Sequence, residues 1–170
     1  MEFKFNTLVP EFYVIDFQKS LFFYTEILGF KIEYKREDPQ FTFLSYQESQ
    51  IMIQQEEENE DWHNGKLEHP FGRGINFQIK TNDAQQLAGR LNAVNYPLKR
   101  GLQDSWYKVK TTFYGYREFL VMDPDGYLLR FSQPLPAPIK QQKKDSITSP
   151  IPKTRYLLIP PRSRRHPTKR

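Results

Sequence analysis

Two tryptophans in polar surroundings are the side chains of this sequence best suited to holding a flat molecule. Trp62 lies in the polar segment 61–64, and Trp106 lies in the polar segment 104–107. A Trp ring exposed to water costs free energy unless it packs against the protein or binds something. Two interpretations therefore stay open: each ring packs over a sheet edge, or it forms a stacking platform for a flat ligand.

A run of acids directly precedes Trp62. Residues 56–61 contain five carboxylates, the last of which is Asp61. Such a run is commonly a solvated loop, but beside an aromatic ring it would also attract a cation. The segment predicts either a plain surface loop or the acidic border of a binding site.

Other kinds of reactive site have weak support. The chain has no Cys, which excludes a disulfide scaffold, a thiolate metal site and a Cys nucleophile, and which suits a reducing cytosol. His63 and His69 lie close to several acids and could form a metal cluster, yet no predicted helix or strand fixes their geometry. We favour solvated loop histidines. Neither a phosphate-binding glycine loop nor a dinucleotide motif occurs.

The charges divide the chain into two parts. From Pro136 onward there are 10 Lys or Arg and one acid, whereas the whole chain has 25 basic and 20 acidic residues, so residues 1–135 carry 15 basic and 19 acidic ones. Residues 136–170 also hold seven of the 13 prolines and no Gly. This composition predicts a disordered, basic, Pro-rich tail behind one folded domain, 1–135. The tail is either an extension that is foreign to the domain or a segment that binds nucleic acid or lipid. We favour the foreign extension. We therefore predict neither a nucleic-acid partner nor a membrane partner.

The elements that must position these residues repeat in two halves. The hydrophobic pattern of the first half predicts a strand, a helix capped by Asp16 and ended by Gly29, and three more strands. The second half predicts the same order, with its helix capped by Asp83 and its last two strands joined by a turn at 123–126. The predicted strands are Leu8–Ile15, Phe30–Tyr34, Phe41–Tyr46, Gln50–Gln54, Gly74–Lys80, Leu98–Arg100, Trp106–Val109, Tyr116–Met122 and Tyr127–Phe131.

Each half is therefore a βαβββ unit. One such unit cannot enclose a core by itself, so two paired units in a single α+β domain are the expected solution. The chain also lacks an apolar run long enough for a signal peptide or a membrane span, which together with the absence of Cys predicts a cytoplasmic protein.

Short motifs in this order resemble the glyoxalase/bleomycin-resistance/dioxygenase (vicinal oxygen chelate) superfamily over about residues 7–133. The motifs that carry the resemblance are Val14-Ile15-Asp16, Ser20-Leu21-Phe22-Phe23-Tyr24, Leu28-Gly29-Phe30 and the closing segment Asp123-Pro124-Asp125-Gly126-Tyr127-Leu128-Leu129-Arg130-Phe131. Two further stretches, Glu68-His69-Pro70-Phe71-Gly72-Arg73-Gly74 and Arg117-Glu118-Phe119, are similar to the bleomycin-resistance branch.

The resemblance implies four metal-ligand positions, which this chain does not fill. Aligned by eye, they fall on Val9, Gln54 or Gln55, Gly74 and Arg130. Val and Gly side chains offer no lone pair, Arg brings a fixed positive charge, and Gln is a weak neutral ligand. We therefore expect no metal, no other cofactor and no catalytic residues.

The resemblance further implies ligand clefts at the interface of a homodimer that exchanges an N-terminal strand. Carried over by position, the cleft uses Tyr34, Phe41, Asn76 and Tyr116, with Glu118 close by; Trp62, Trp106 and Asp61 are added from their own chemistry. A bleomycin-type antibiotic combines a flat ring system with a cationic tail, so the implied function is its metal-independent sequestration. The alternative is a metal-dependent lyase, dioxygenase or thiol transferase that acts on a small oxygenated substrate.

Overall fold

The computed structural model describes residues 4–57, 62 and 65–136 of the chain. The first half contains strand β1 (Glu11–Val14), helix α1 (Phe17–Phe22) with a π-helical continuation (Phe23–Ile27), and strands β2 (Lys31–Arg36), β3 (Phe41–Tyr46) and β4 (Ser49–Gln55). The second half contains β5 (Phe77–Lys80), α2 (Ala84–Ala93), β6 (Leu98–Val109), β7 (Thr112–Met122) and β8 (Leu128–Leu135). The predicted tail lies outside the described residues except for Pro136.

Both helices begin where the sequence predicts. The side chain of Asp16 accepts a hydrogen bond of 3.0 Å from the Lys19 backbone N–H, and Asp83 accepts one of 2.8 Å from Gln86. Each carboxylate satisfies a donor that the first helical turn leaves unpaired. None of the helices in the described part is long and apolar enough to cross a membrane.

Two four-stranded sheets share one topology. The N-terminal sheet has the order β1-β4-β3-β2, and the C-terminal sheet has the order β5-β8-β7-β6. In each, the first strand of the half pairs in parallel with the last, and the other pairs are antiparallel. This repetition confirms the α+β class and the two βαβββ units.

Some strand bounds differ from the prediction. The segments predicted as Leu98–Arg100 and Trp106–Val109 belong to one strand, because β7 continues the ladder across the polar residues between them, with bulges on either side of Arg100. The predicted strand Gly74–Lys80 begins only at Phe77, because the backbone turns at Gly72 and Gly74, whose φ angles are positive. The first strand likewise begins at Glu11 rather than Leu8.

One hydrophobic core joins the two halves. The fully buried side chains include Phe12 and Tyr24 from the first half and Phe119 and Phe131 from the second. The ring of Phe12 in β1 lies 4.6 Å from that of Phe77 in β5, centroid to centroid. Because neither half completes this core alone, the two units form a single structure.

The turn Asp123–Gly126 ties the second half to helix α1. Asp125 accepts hydrogen bonds of 2.9 Å from the Ile15 backbone N–H and from the Ser20 hydroxyl, and Asp123 accepts one of 2.7 Å from the Tyr24 hydroxyl. Burial raises the pKa of Asp123 to about 7, against the lowering effect of its hydrogen bonds. Ser20 is therefore explained by a structural contact between the halves.

Candidate functional site

A cavity of about 500 Å³ lies on the face of the C-terminal sheet that points away from the core. Its lining residues, which define the Arg130 cavity, are Gln78, Tyr107, Val109, Tyr114, Tyr116 and Arg130. Cross-strand pairing explains why they meet: Gln78 pairs with Arg130, and Tyr107 with Tyr114. Side chains alternate between the two faces of a strand. The residues next to these pairs along each strand face the core, so the paired residues themselves face away from it.

A buried carboxylate holds Arg130 in place. Glu118 is 0% exposed, and its Oε1 accepts a hydrogen bond of 2.7 Å from Nε of Arg130 and one of 3.3 Å from the Ser132 hydroxyl. Its Oε2 accepts a hydrogen bond of 2.9 Å from the Tyr107 hydroxyl, which itself lies 3.3 Å from Nη2 of Arg130. The guanidinium is thus fixed against the sheet by groups that are themselves bonded to one another.

A second arginine shares the same carboxylate. Nη2 of Arg100 lies 3.7 Å from Oε2 of Glu118, and Nε of Arg100 is buried without a hydrogen-bond partner. Two guanidinium groups therefore accompany one carboxylate, and the lining of the Arg130 cavity includes no acid. The local charge is positive by about one elementary charge if each group has its usual charge.

These neighbours shift the pKa of the Tyr107 phenol. Desolvation raises its pKa, and the hydrogen bond to the Glu118 carboxylate raises it further, while Arg130 has the opposite effect. Tyr107 is accordingly a neutral hydrogen-bond donor near pH 7 and not a candidate general base. Its ring lies 5.7 Å from the guanidinium carbon of Arg130.

The predicted residues Tyr116 and Glu118 lie together, as alternate residues of β7. Tyr116 lines the cavity, whereas Glu118 lies beneath it and is occupied by Arg130, Tyr107 and Ser132. Glu118 therefore serves to position other side chains and has no free oxygen to offer a cationic ligand.

The predicted residues Tyr34 and Phe41 lie together on the other half. They are in β2 and β3, with ring centroids 5.7 Å apart, on the face of the N-terminal sheet that points away from the core. Phe41 is buried, the guanidinium carbon of Arg36 lies 3.9 Å from its ring centroid, and Tyr34 is 39% exposed. They form an aromatic surface that is separate from the lining of the Arg130 cavity.

The other predicted residues do not join either group. Asn76 lies just before β5 and lines a groove of about 460 Å³ between the two halves. Trp62 is 81% exposed, and Asp61 lies outside the described residues. Trp106 lies in β6 with its ring over Gly115, on the face opposite Tyr116 and Glu118, so its polar neighbours along the chain reflect a strand and not a loop.

The positions that imply metal ligands do not form a donor set. Val9 and Gly74 lie before β1 and β5 and carry no donor atoms. The strand β5 begins at Phe77, so Gly74 does not open it as expected, and the residue of β5 that pairs with Arg130 is Gln78, a neutral amide. In the part of the chain that the structure describes, no cluster of three or more His, Cys, Asp or Glu side chains could hold a metal ion.

The glutamine position also argues against a metal. The side chain of Gln55 accepts a hydrogen bond of 3.1 Å from the Phe17 N–H and donates one of 3.0 Å to the Ile15 carbonyl, so it serves the start of α1. Gln54 alone remains as a neutral oxygen, and at the β8 position Arg130 supplies a positive charge where a cation would need a negative one. The residues present do not fit a divalent metal.

Sequence reasoning missed most of the cavity lining. The sequence alone does not indicate a role for Tyr107, Tyr114 or Gln78, and it gives Arg130 only as a position that cannot hold a metal. The spacing of the tyrosines offers one signal, because residues 114 and 116 lie on the same face of any strand that contains both. The register that adds residue 107 and Arg130 to that face depends on pairing across the sheet.

Comparison with known proteins supports the fold described above. The family model of the Glyoxalase/Bleomycin resistance protein/Dioxygenase superfamily matches residues 4–131. A superfamily member of known structure from Vibrio splendidus 12B01 is 30% identical, with 74% of this chain and 95% of that chain covered and a TM-score of 0.35. A search of curated proteins gave no match.

Two more distant structures share the fold. TioX from Micromonospora sp. ML1 is 18% identical, with 76% of this chain and 99% of that chain covered and a TM-score of 0.59. The fosfomycin resistance protein FosX from Listeria monocytogenes is 17% identical, with 77% and 94% covered and a TM-score of 0.51. At this identity the likeness shows the fold alone.

Proposed function

We propose that this chain, which belongs to the glyoxalase/bleomycin resistance protein/dioxygenase superfamily, binds and sequesters a flat small-molecule antibiotic without a metal ion and without making or breaking a bond. The observation that carries the proposal is the Arg130–Glu118 pair. A guanidinium bonded to a buried carboxylate stands at the β8 position where a metal ligand is implied. This arrangement disfavours a bound cation by charge and would offer fixed donors to a ligand instead.

The first candidate ligand is an antibiotic of the bleomycin type, with a flat ring system and a cationic tail. The three tyrosines of the Arg130 cavity provide aromatic surface for the flat part, and the exposed ring of Trp62, which does not line that cavity, offers a second aromatic surface. The acidic segment that precedes Trp62 would attract the cationic part, and of its five acids Glu56 and Glu57 lie among the described residues. Trp106 is left out of the proposed site because its ring lies on the other face of the sheet.

The protein is further proposed to act as a homodimer in the cytoplasm. In the described residues, β1 and β5 are edge strands of their sheets, paired with β4 and β8 respectively. The groove between these edges includes Leu8 and Asn76, and Leu8 is largely exposed. In the exchanged dimer, residues 1–15 of one copy would take the place that β1 occupies beside β4 of the other, and the groove with Asn76 would become a shared cleft.

Recovery of the ligand tests sequestration against chemistry. Bleomycin is incubated with the protein, bound drug is separated by ultrafiltration, and the protein is denatured to release it for mass spectrometry. We expect drug of unchanged mass, retained in proportion to the protein and not consumed over time. Progressive conversion of the drug, in particular conversion that depends on an added divalent metal, would instead support the enzyme alternative.

A further inference from the structure

We infer that the guanidinium of Arg130 binds a pair of acceptor oxygens on the ligand, as a metal ion does in a chelating site. The part of the ligand that enters the Arg130 cavity is then a flat ring that carries a carboxylate. The inference rests on the proposed metal-free binding function and specifies its ligand. A cationic tail, if the ligand has one, would lie outside this cavity.

The geometry leaves part of the guanidinium for a ligand. Nε and Nη2 of Arg130 are engaged by Glu118 and Tyr107, whereas Nη1 donates no hydrogen bond to any described residue. Arg130 also lines the cavity. Because its inner side is fixed to a buried carboxylate, the outer side is presented in one orientation and loses little freedom when it binds.

The charge balance favours an anion. The buried Glu118 is shared between Arg130 and Arg100, so one positive charge is not neutralised within the cluster. The lining of the cavity adds no carboxylate, and its other polar groups are phenols and the amide of Gln78. A ligand carboxylate would complete the charge pairing, whereas an ammonium group would be repelled.

The shape favours a ring attached to that carboxylate. Tyr107 and Tyr116 contact each other with ring centroids 6.1 Å apart, and Tyr114 and Val109 extend the lining toward the end of the β6–β7 hairpin. Tyr114 is about half exposed, so a ring stacked on it would remove apolar surface from water. A single ligand can therefore place its acceptor oxygens at Arg130 and its aromatic ring along the tyrosines at the same time.

Three matched probes test the inference: naphthalene-2-carboxylate, its neutral amide naphthalene-2-carboxamide, and the cation naphthalen-2-ylmethylammonium. Binding to the full chain is measured by calorimetry with EDTA present. We expect the carboxylate to bind about tenfold tighter than the amide, and the ammonium to bind more weakly than both. Equal binding of the carboxylate and the ammonium, or no binding of any probe at millimolar concentration, would overturn the inference.

Four variants assign the preference to Arg130. R130Q alone leaves Glu118 short of a partner and can fail to fold, so the triple variant R100Q/E118Q/R130Q, which removes all three charges of the cluster, is measured beside it. The triple variant should bind the carboxylate and the amide within about twofold of each other, and R130K should show an intermediate preference because it keeps the charge without the planar fork. R117Q alters an arginine on the opposite face of β7, paired with Asp104, and should behave as the unaltered protein.

An undiminished carboxylate preference in a folded R130Q or R100Q/E118Q/R130Q variant would reject the role of Arg130. This outcome is distinguishable from failure of the proposed function, because bleomycin binding in EDTA is a separate measurement on the same samples. Bleomycin bound in EDTA without any carboxylate preference rejects only the inference. Binding that appears only with added metal rejects both.

Discussion

At the scale of single residues, Glu118 organises the candidate site. It is fully buried, and three hydrogen-bond donors and a second guanidinium converge on it. A buried acceptor with this many partners is costly to remove, because each partner must then be left unpaired or return to water. The site therefore depends for its shape on a residue that a ligand does not reach.

Replacing Glu118 by Ala should lower the free energy of unfolding by about 2–4 kcal/mol. This loss is smaller than the loss expected when a fully buried ion pair is broken, because both arginines are partly exposed. The matched control is D104A, which removes the partner of Arg117 from the exposed face of the same hairpin and should cost less than about 1 kcal/mol. Urea unfolding of both variants measures the difference. Equal losses would show that Glu118 has no special structural role.

Asp123 gives the protein a specific dependence of stability on pH. Its pKa is raised to about 7 in the folded protein, mainly by burial, against about 3.9 for an unfolded Asp. The folded state therefore holds the proton more tightly, so this contribution to stability is fully present below about pH 4 and is lost as pH rises through about 7. The loss should amount to a few kcal/mol, at most about 4.

The variant D123N isolates this contribution. The side-chain oxygen of Asn can still accept the hydrogen bonds that Asp125 and Tyr127 donate from the backbone. Between pH 4 and pH 7, the free energy of unfolding of D123N should fall less than that of the unaltered protein, as followed by urea titration at each pH. The same slope in both proteins would place the titrating group elsewhere.

At the scale of elements, the β6–β7 hairpin determines which side chains meet. Its register places Trp106 opposite Gly115 and turns Tyr107, Tyr114 and Tyr116 toward the Arg130 cavity. A Cβ atom added at Gly115 would lie 2.6 Å from the Trp106 ring, which is closer than van der Waals contact permits. The absence of a side chain at Gly115 thus allows the Trp106 ring to lie directly over residue 115, on the face opposite the Arg130 cavity.

The variant G115A should therefore destabilise the protein by about 1–3 kcal/mol, the usual cost of overpacking. In a W106L background, which removes the obstructing ring, the same substitution should cost less than about 0.5 kcal/mol. Thermal unfolding of the four proteins closes a double-mutant cycle. If the two costs are equal, the contact between the ring and residue 115 does not limit the packing.

Local chemistry explains how much of these elements could be predicted. Asp16 and Asp83 cap helices within their own first turns, and Gly126 takes the positive φ that the turn at 123–126 requires, so the nearby sequence is sufficient. The pairing of Glu118 with Arg130 joins two strands through a register that no local signal determines. Sequence reasoning therefore located the strands but not the cavity that they form.

At the scale of the whole molecule, the two halves are bound together by a shared core and by the Asp123–Gly126 turn. In the described residues, β1 and β5 are edge strands of their sheets. A second copy that supplies an N-terminal segment would complete these edges.

We expect a dimer mass at micromolar concentration by light scattering, and deletion of residues 1–10 should shift the mass toward a monomer. A monomer for the full chain would contradict strand exchange.

Binding in the absence of metal is the central claim, and one titration tests it most directly. Bleomycin is titrated into the full chain by calorimetry, first with EDTA and then, on dialysed protein, with added Mn²⁺, Zn²⁺ or Ni²⁺. The Arg130–Glu118 pair predicts the same stoichiometry per chain and a dissociation constant unchanged within about twofold in all conditions, since no cluster of ligands among the described residues fits a metal. Heat of binding that appears only when a divalent metal is present would contradict the account.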